Sequence, residues 1–160
     1  MLKTKNNGFE FIEFITIKEI ELYNYLHLAG SYAVIKCDGK YLLCYNIYRK
    51  QWELPAGRRE ANESPKECAK RELFEETGQI VNDLEFKGLL KLRNKINGTI
   101  KYNPVYFWNI DQLDPFFKNE ETSEIKLWNL GEEIGHSYID EIDVRVVEYM
   151  YKLNSKSMEE

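Results

Sequence analysis

Glu72, Glu75 and Glu76 stand three and four residues apart, with Arg71 beside them and Glu63 upstream. On a helix they share an arc of about 100°. Like charges at that spacing cost an isolated helix roughly 0.2–0.5 kcal/mol per pair. The apolar stripe of the same segment, Ala69 and Leu73, is centred about 90° from that arc. The acidic face therefore borders the core, where repulsion is screened less than on an outer face. Hard divalent cations take oxygen ligands, and Mg²⁺ keeps several waters while sharing its shell with substrate phosphates. Glutamates gathered on one helix face supply such ligands, although most glutamate-rich helices are simply solvated.

The spacing decides between these readings. Gly57, five residues, Glu63, seven residues, Arg71-Glu72-Leu73, one residue, Glu75-Glu76, one residue and Gly78 make a fixed pattern. Seven of these eight identities alone would coincide by chance roughly once in 10⁸ windows. Residues 57–79 resemble the Nudix box of the MutT-like hydrolases. The resemblance implies an α+β fold, a Nudix-type α/β/α sandwich with a mixed β-sheet between helices. It implies metal-assisted attack of water on a nucleoside diphosphate linked to another group, with Mg²⁺ (or Mn²⁺) as cofactor. It assigns Glu72, Glu75, Glu76 and the Gly57 carbonyl as metal ligands, and Glu63 and Arg71 as an ionic brace. Relatives take the general base either from the box or from a later loop, where Glu120, Glu121 and Glu124 qualify by position.

Two positions depart from the family pattern. Gln79 stands where an apolar residue follows the last glycine, with Ile80 next, and Ala56 replaces a second glycine found in many relatives. Neither removes a charged position. Arg58 and Arg59 follow the box glycine and can reach phosphates. Tyr48 and Trp52 have rings that can stack on a base, with core packing the better reading for Trp52. No proline stands at the downstream spacing that marks the ADP-ribose group. Nucleoside triphosphates, oxidised nucleotides, dinucleoside polyphosphates and nucleotide sugars all stay open as substrates. Two other classes stay open as well: a non-catalytic nucleotide-binding module, and a diphosphate isomerase, for which Cys68 sits one turn before Glu72.

The elements that must position these residues can also be read. Ser64, Pro65 and Glu67 mark a helix start and Gly78 its end, which predicts a helix over 65–77. Asp38-Gly39 joins two apolar runs as a hairpin, with Cys37 facing Lys40 and Cys44 facing Ala33. A second hairpin turns near Asn97-Gly98, and Pro104 predicts an edge or a bulge in its return strand. Phe9–Ile17 reads as a strand with imperfect alternation, 19–27 as a short helix or a loop, and 124–129 as a further strand. Asp140–Leu153 reads as a helix with Ile142, Val146, Tyr149 and Leu153 on one stripe.

The 160 residues suit one domain, 1–160, with 1–28 as an N-terminal extension. A net charge of −5 disfavours stable nucleic-acid binding. No apolar run nears the ~20 residues of a spanning helix, and no secretory signal is visible. Cys37, Cys44 and Cys68 lack metal-ligand spacing and read as free thiols of a cytoplasmic protein. The apolar segment from Phe9, or the edge near Pro104, is the expected contact of a homodimer.

Overall fold

The computed structural model describes residues 1–159. Helix α1, Pro65–Thr77, forms where its end signals place it. Ser64 Oγ accepts the Glu67 N–H at 3.1 Å, Pro65 opens the helix, and Gly78 closes it at φ 78° with its N–H on the Phe74 carbonyl. Each device satisfies or removes a terminal backbone group. Ala69 and Leu73 are fully buried against Ala33, Ile35, Leu42 and Tyr106.

Those partners lie on a mixed sheet. Its strands are β1 (Thr4–Lys5), β2 (Phe9–Ile15), β3 (Ser31–Cys37), β4 (Lys40–Asn46), β5 (Gln51–Glu53), β6 (Ala56–Gly57), β7 (Glu85–Asn94), β8 (Ile100–Ile110), β9 (Thr122–Trp128) and β10 (Tyr138–Asp140). The order is β1-β10-β5-β4-β3-β8-β7-β2, with β6 paired to β3 and β9 to β4. β3 runs parallel to β8, and β10 parallel to both β1 and β5. Successive residues of β3 are buried on opposite faces: Ala33 and Ile35 towards α1, Val34 into a second cluster. That second cluster gathers Leu43, Leu90, Val105 and Phe107 with Ile142, Val146, Val147 and Met150 of helix α2 (Glu141–Glu159). With both faces covered, β3 reads as a continuous apolar run rather than an alternation. A mixed sheet between two helical layers is the α+β sandwich anticipated above.

Several local expectations change. Asp38 and Gly39 do turn the first hairpin, at φ 52° and 77°, and Cys37 does face Lys40. The β3–β4 ladder nevertheless ends at Lys36↔Tyr41, and Cys44 lies opposite Glu53 and Ile125 instead of Ala33. The segment around Pro55 takes over the edge of β3: the Ala33 N–H donates to the Pro55 carbonyl at 2.9 Å, and Ser31 pairs with Gly57. All three cysteines are buried free thiols.

Pro104 is not on an edge, because β8 lies between β3 and β7. The irregularities fall beside it, on β7 between Phe86 and Gly88, and in the shift from Leu28↔Tyr102 to Tyr32↔Val105. The imperfect alternation of β2 is a bulge between Phe11 and Glu13. One extra residue brings Phe11 and Phe14 to the same side, where both stack on Tyr149 of α2 at 5.7 and 5.1 Å. β2 thus extends the chain's own sheet. Residues Glu19–Asn24 form a 3-10 helix. Asp140 ends β10 and its Oδ1 accepts the Asp143 N–H at 3.0 Å, so it caps α2 rather than belonging to it.

Candidate active site

Arg71 projects from the middle of α1 and gathers the box. Its Nε and Nη2 hold the two oxygens of Glu63 at 2.7 and 3.0 Å. Nη1 reaches Glu72 at 2.8 Å and Glu75 at 3.1 Å, and Nη2 also donates to the Arg58 carbonyl at 2.8 Å. One planar guanidinium thereby ties the Gly57–Glu63 loop to the acidic face of the helix. The Arg71 hydrogen bonds hold the Glu63 carboxyl below its ordinary range, and the carboxylates push the Arg71 pKa up in return. Glu63 and Glu72 therefore lie on one side of α1.

Glu76, one turn on, differs from its neighbours. It is buried, and its Oε2 accepts the Ala56 N–H at 3.0 Å. No cation pairs with it among the described residues. Burial first, and the nearby Glu72 second, raise its pKa to about 9. Burial likewise raises Glu72, against the pull of Arg71. Gly57 lies against this face: a Cβ there would fall 2.1 Å from Glu72 Cδ, so only glycine leaves the carboxylate room. The Gly57 carbonyl accepts the Cys68 thiol at 3.2 Å.

A second wall comes from the loop before β9. Asn119 Nδ2 donates to the Glu75 carbonyl at 3.1 Å, and Asn46 Nδ2 holds Glu121 Oε1 at 3.3 Å. Tyr48, Glu75, Glu76, Asn119, Glu120 and Glu121 line one cavity of about 450 Å³. Glu120 and Glu121 are thus brought to the box, whereas Glu124 is exposed on β9 outside that cavity. Tyr48 faces the cavity, and Trp52 is a core residue packed on Tyr45 at 5.4 Å. Gln79 explains its own departure from the pattern. It is buried, and its amide bridges the Thr77 carbonyl, the Asp114 carbonyl and the Asp114 N–H at 3.0, 3.0 and 2.7 Å. A fully satisfied buried amide costs little, and this one anchors the second wall to the end of α1.

Five further residues were not singled out by the sequence. Tyr32, Arg49, Glu53, Lys101 and Asp143 line a cavity of about 250 Å³ that also includes Ala56, whose N–H touches Glu76. Arg49 grips Glu53 with two hydrogen bonds of 2.5 and 2.9 Å. Asp143 is buried with its Oδ2 on the Leu54 N–H at 2.8 Å, and burial, followed by Asp140 and Glu53, pushes its pKa up. These residues come from β3, the turn before β5, β5 itself, β8 and α2, so apart from Arg49 and Glu53 they lie far apart along the chain. Arg58 and Arg59 are both exposed but diverge. The Arg58 charge, after burial, helps lower the Lys101 pKa, whereas Arg59 lines a different cavity beside the start of α1.

The donor set fits a hard cation, because Glu76 is a buried carboxylate without a cation and Glu72 lies beside it. Among the described residues no three His, Cys, Asp or Glu side chains converge as a ready cage. Mg²⁺ does not require one, since it binds through one or two carboxylates, waters and substrate phosphates.

The NUDIX domain family model matches residues 27–139, which includes the whole box. The chain belongs to the NUDIX family. With the box intact at Glu63, Arg71, Glu72, Glu75 and Glu76, it is a hydrolase acting on phosphoanhydride bonds. Solved structures of the same fold include the Bacillus subtilis pyrophosphohydrolase BsRppH, 22% identical, with 90% of each chain covered and a TM-score of 0.68. The NUDIX domain of Shewanella oneidensis NrtR complexed with ADP ribose is 18% identical over 85% of this chain and 98% of that one, at TM-score 0.66. The MutT NUDIX hydrolase of Burkholderia pseudomallei is 19% identical over 77% and 98%, at TM-score 0.63. The NUDIX match begins at residue 27, after β2 and the 3-10 helix. No helix among the described residues is long and apolar enough to cross a membrane.

Proposed function

We propose that this chain is a divalent-metal-dependent pyrophosphohydrolase, cleaving a nucleoside diphosphate linked to another group. The observation that carries the reading is Glu76, a buried carboxylate next to Glu72 with only the Ala56 N–H for company. Glu72, Glu76 and the Gly57 carbonyl, joined by Glu75, would hold Mg²⁺ or Mn²⁺. Bound there, the metal would neutralise phosphate charge and activate water. Arg71 and Glu63 fix the loop and helix that carry these ligands. Arg58 and Arg59 bind phosphates, and Glu120 or Glu121 accepts the proton of the attacking water. The cavity lined by Tyr32 and Asp143 also borders Ala56, and it takes the nucleoside.

An isomerase using Cys68 has less support. Burial raises that thiol, and its proton already serves the Gly57 carbonyl. We read residues 1–160 as one hydrolase domain of the cytoplasm, in keeping with three free thiols. A panel of nucleoside triphosphates, dinucleoside polyphosphates and nucleotide sugars tests the activity. Product release from at least one class, present with Mg²⁺ and abolished by EDTA, is expected. Release from none, or release indifferent to EDTA, would contradict it.

The same reading includes a homodimer through β2. That strand ends the sheet, and Ile12 is exposed at its bulge. The interior position of β8 removes the alternative contact near Pro104. Light scattering at micromolar concentration should give twice the chain mass, and a monomer would dispose of the dimer.

A further inference from the structure

The 3-10 helix, Glu19–Asn24, turns every three residues, so side chains three apart eclipse one another. One ridge is committed to the fold. Glu19 accepts the Tyr106 hydroxyl at 2.7 Å, Leu22 is buried, and Tyr25 packs on Tyr102 at 4.9 Å. A second ridge, Ile20 and Tyr23, continued by Leu26, is wholly apolar or aromatic and is 70, 83 and 88% exposed. An exposed ridge of this kind calls for an occupant.

That ridge forms one side of a cavity of about 560 Å³, within the size range of small-molecule sites. Ser64, Pro65 and Lys66 at the start of α1 line it as well, together with the exposed Arg59. Lys66 is already paired with Asp83 at 3.1 Å, but Arg59 enters no ion pair among the described residues. Arg59 stands two residues after Gly57, a reach of about 7 Å. Arg71 pins the intervening Arg58 carbonyl. The stretch 53–59 therefore runs from the cavity lined by Tyr32 and Asp143, past the carboxylate face, to this second cavity.

We infer that the second cavity is a subsite for an aromatic nucleoside carried on the far side of the diphosphate, so that the favoured substrate has a nucleoside at each end, as a dinucleoside polyphosphate does. The inference rests on the hydrolase reading above. A base would stack on Tyr23 and its flanking apolar neighbours, while Arg59 would meet the phosphate leading to it. A diphosphate linked to a bare sugar would leave the ridge wet.

The test is calorimetric binding of a dinucleoside polyphosphate and of the matching nucleoside triphosphate, with Ca²⁺ in place of Mg²⁺ to slow turnover. The proteins compared are the wild type and the exposed-site variants Tyr23→Ala and Ile20→Ala. The double-ended ligand should lose roughly 10- to 100-fold in Kd with Tyr23→Ala. The triphosphate should be unaffected, and the mass by light scattering unchanged. Equal losses on both ligands, no loss, or a changed mass in place of a binding loss would overturn the subsite. Tyr23-dependent binding without Mg²⁺-dependent cleavage would uphold the subsite and sink the hydrolase reading. Cleavage with binding indifferent to Tyr23 would sink the subsite alone.

Discussion

Glu76→Gln should cut Mg²⁺-dependent turnover roughly 10²- to 10³-fold while leaving the fold intact. Glutamine keeps the shape and can still accept the Ala56 N–H that Glu76 Oε2 accepts at 3.0 Å. It removes a charge that burial and Glu72 both oppose. The effect on stability has a definite sign. A carboxyl whose folded pKa is raised to about 9 contributes stability that is fully present below its unfolded value, near 4.5, and is lost as pH rises towards 9. With EDTA present, wild type and Glu76→Gln should melt together near pH 4. The variant should become progressively the more stable from pH 5 to 9, by up to roughly 1.4 kcal/mol per pH unit. Turnover and melting curves measured on the same samples check both halves. Glu67→Gln is the control: its side chain is exposed on the first turn, and only a weak helix-dipole contribution of about 0.3–1 kcal/mol is at stake.

Gly57→Ala should also lose activity, for a different reason. The added Cβ would fall 2.1 Å from Glu72 Cδ and 2.4 Å from both its oxygens. The far end of a side chain can swing away cheaply, so the melting temperature should drop only by a few degrees. The Glu72 carboxylate would leave both the Arg71 Nη1 that holds it at 2.8 Å and the face it shares with Glu76. A displacement of about 1 Å in such a group costs about 10²-fold in rate. Gly30→Ala makes the contrast. Its Cβ would meet the Gly57 carbonyl oxygen at 2.3 Å, and backbone cannot swing aside, so that variant should lose stability as well as turnover. Steady-state kinetics beside thermal melts separate the two cases.

The box was legible because its roles are local. Ser64, Pro65 and Gly78 fix where α1 starts and ends, and the 3.6-residue period then places Arg71, Glu72 and Glu76 on one side. The hairpin turns were equally local, since Asp38-Gly39 need only each other to adopt positive φ. What could not be read was set by partners far along the chain. The Cys44 register depends on β5 and β9, which displace β3 after two pairs. Pro104 looks like an edge residue until β3 is known to flank β8. The cavity of Tyr32, Glu53, Lys101 and Asp143 exists only once α2 has docked across the sheet. Gln79 is the reverse case: a visible departure whose consequence, the bridge to Asp114, lay 35 residues away.

The central claim is that Glu72, Glu75 and Glu76 are crowded because a divalent cation offsets their repulsion. Melting temperature against Mg²⁺ concentration at pH 8, without substrate, tests it most directly. A ligand that binds only the folded state stabilises it by RT ln(1 + [L]/Kd), about 2.7 kcal/mol at one hundred times Kd. The wild type should therefore gain several degrees in a saturable fashion, and Glu76→Gln should gain little. A wild type indifferent to Mg²⁺, or a variant that gains as much, would contradict the account.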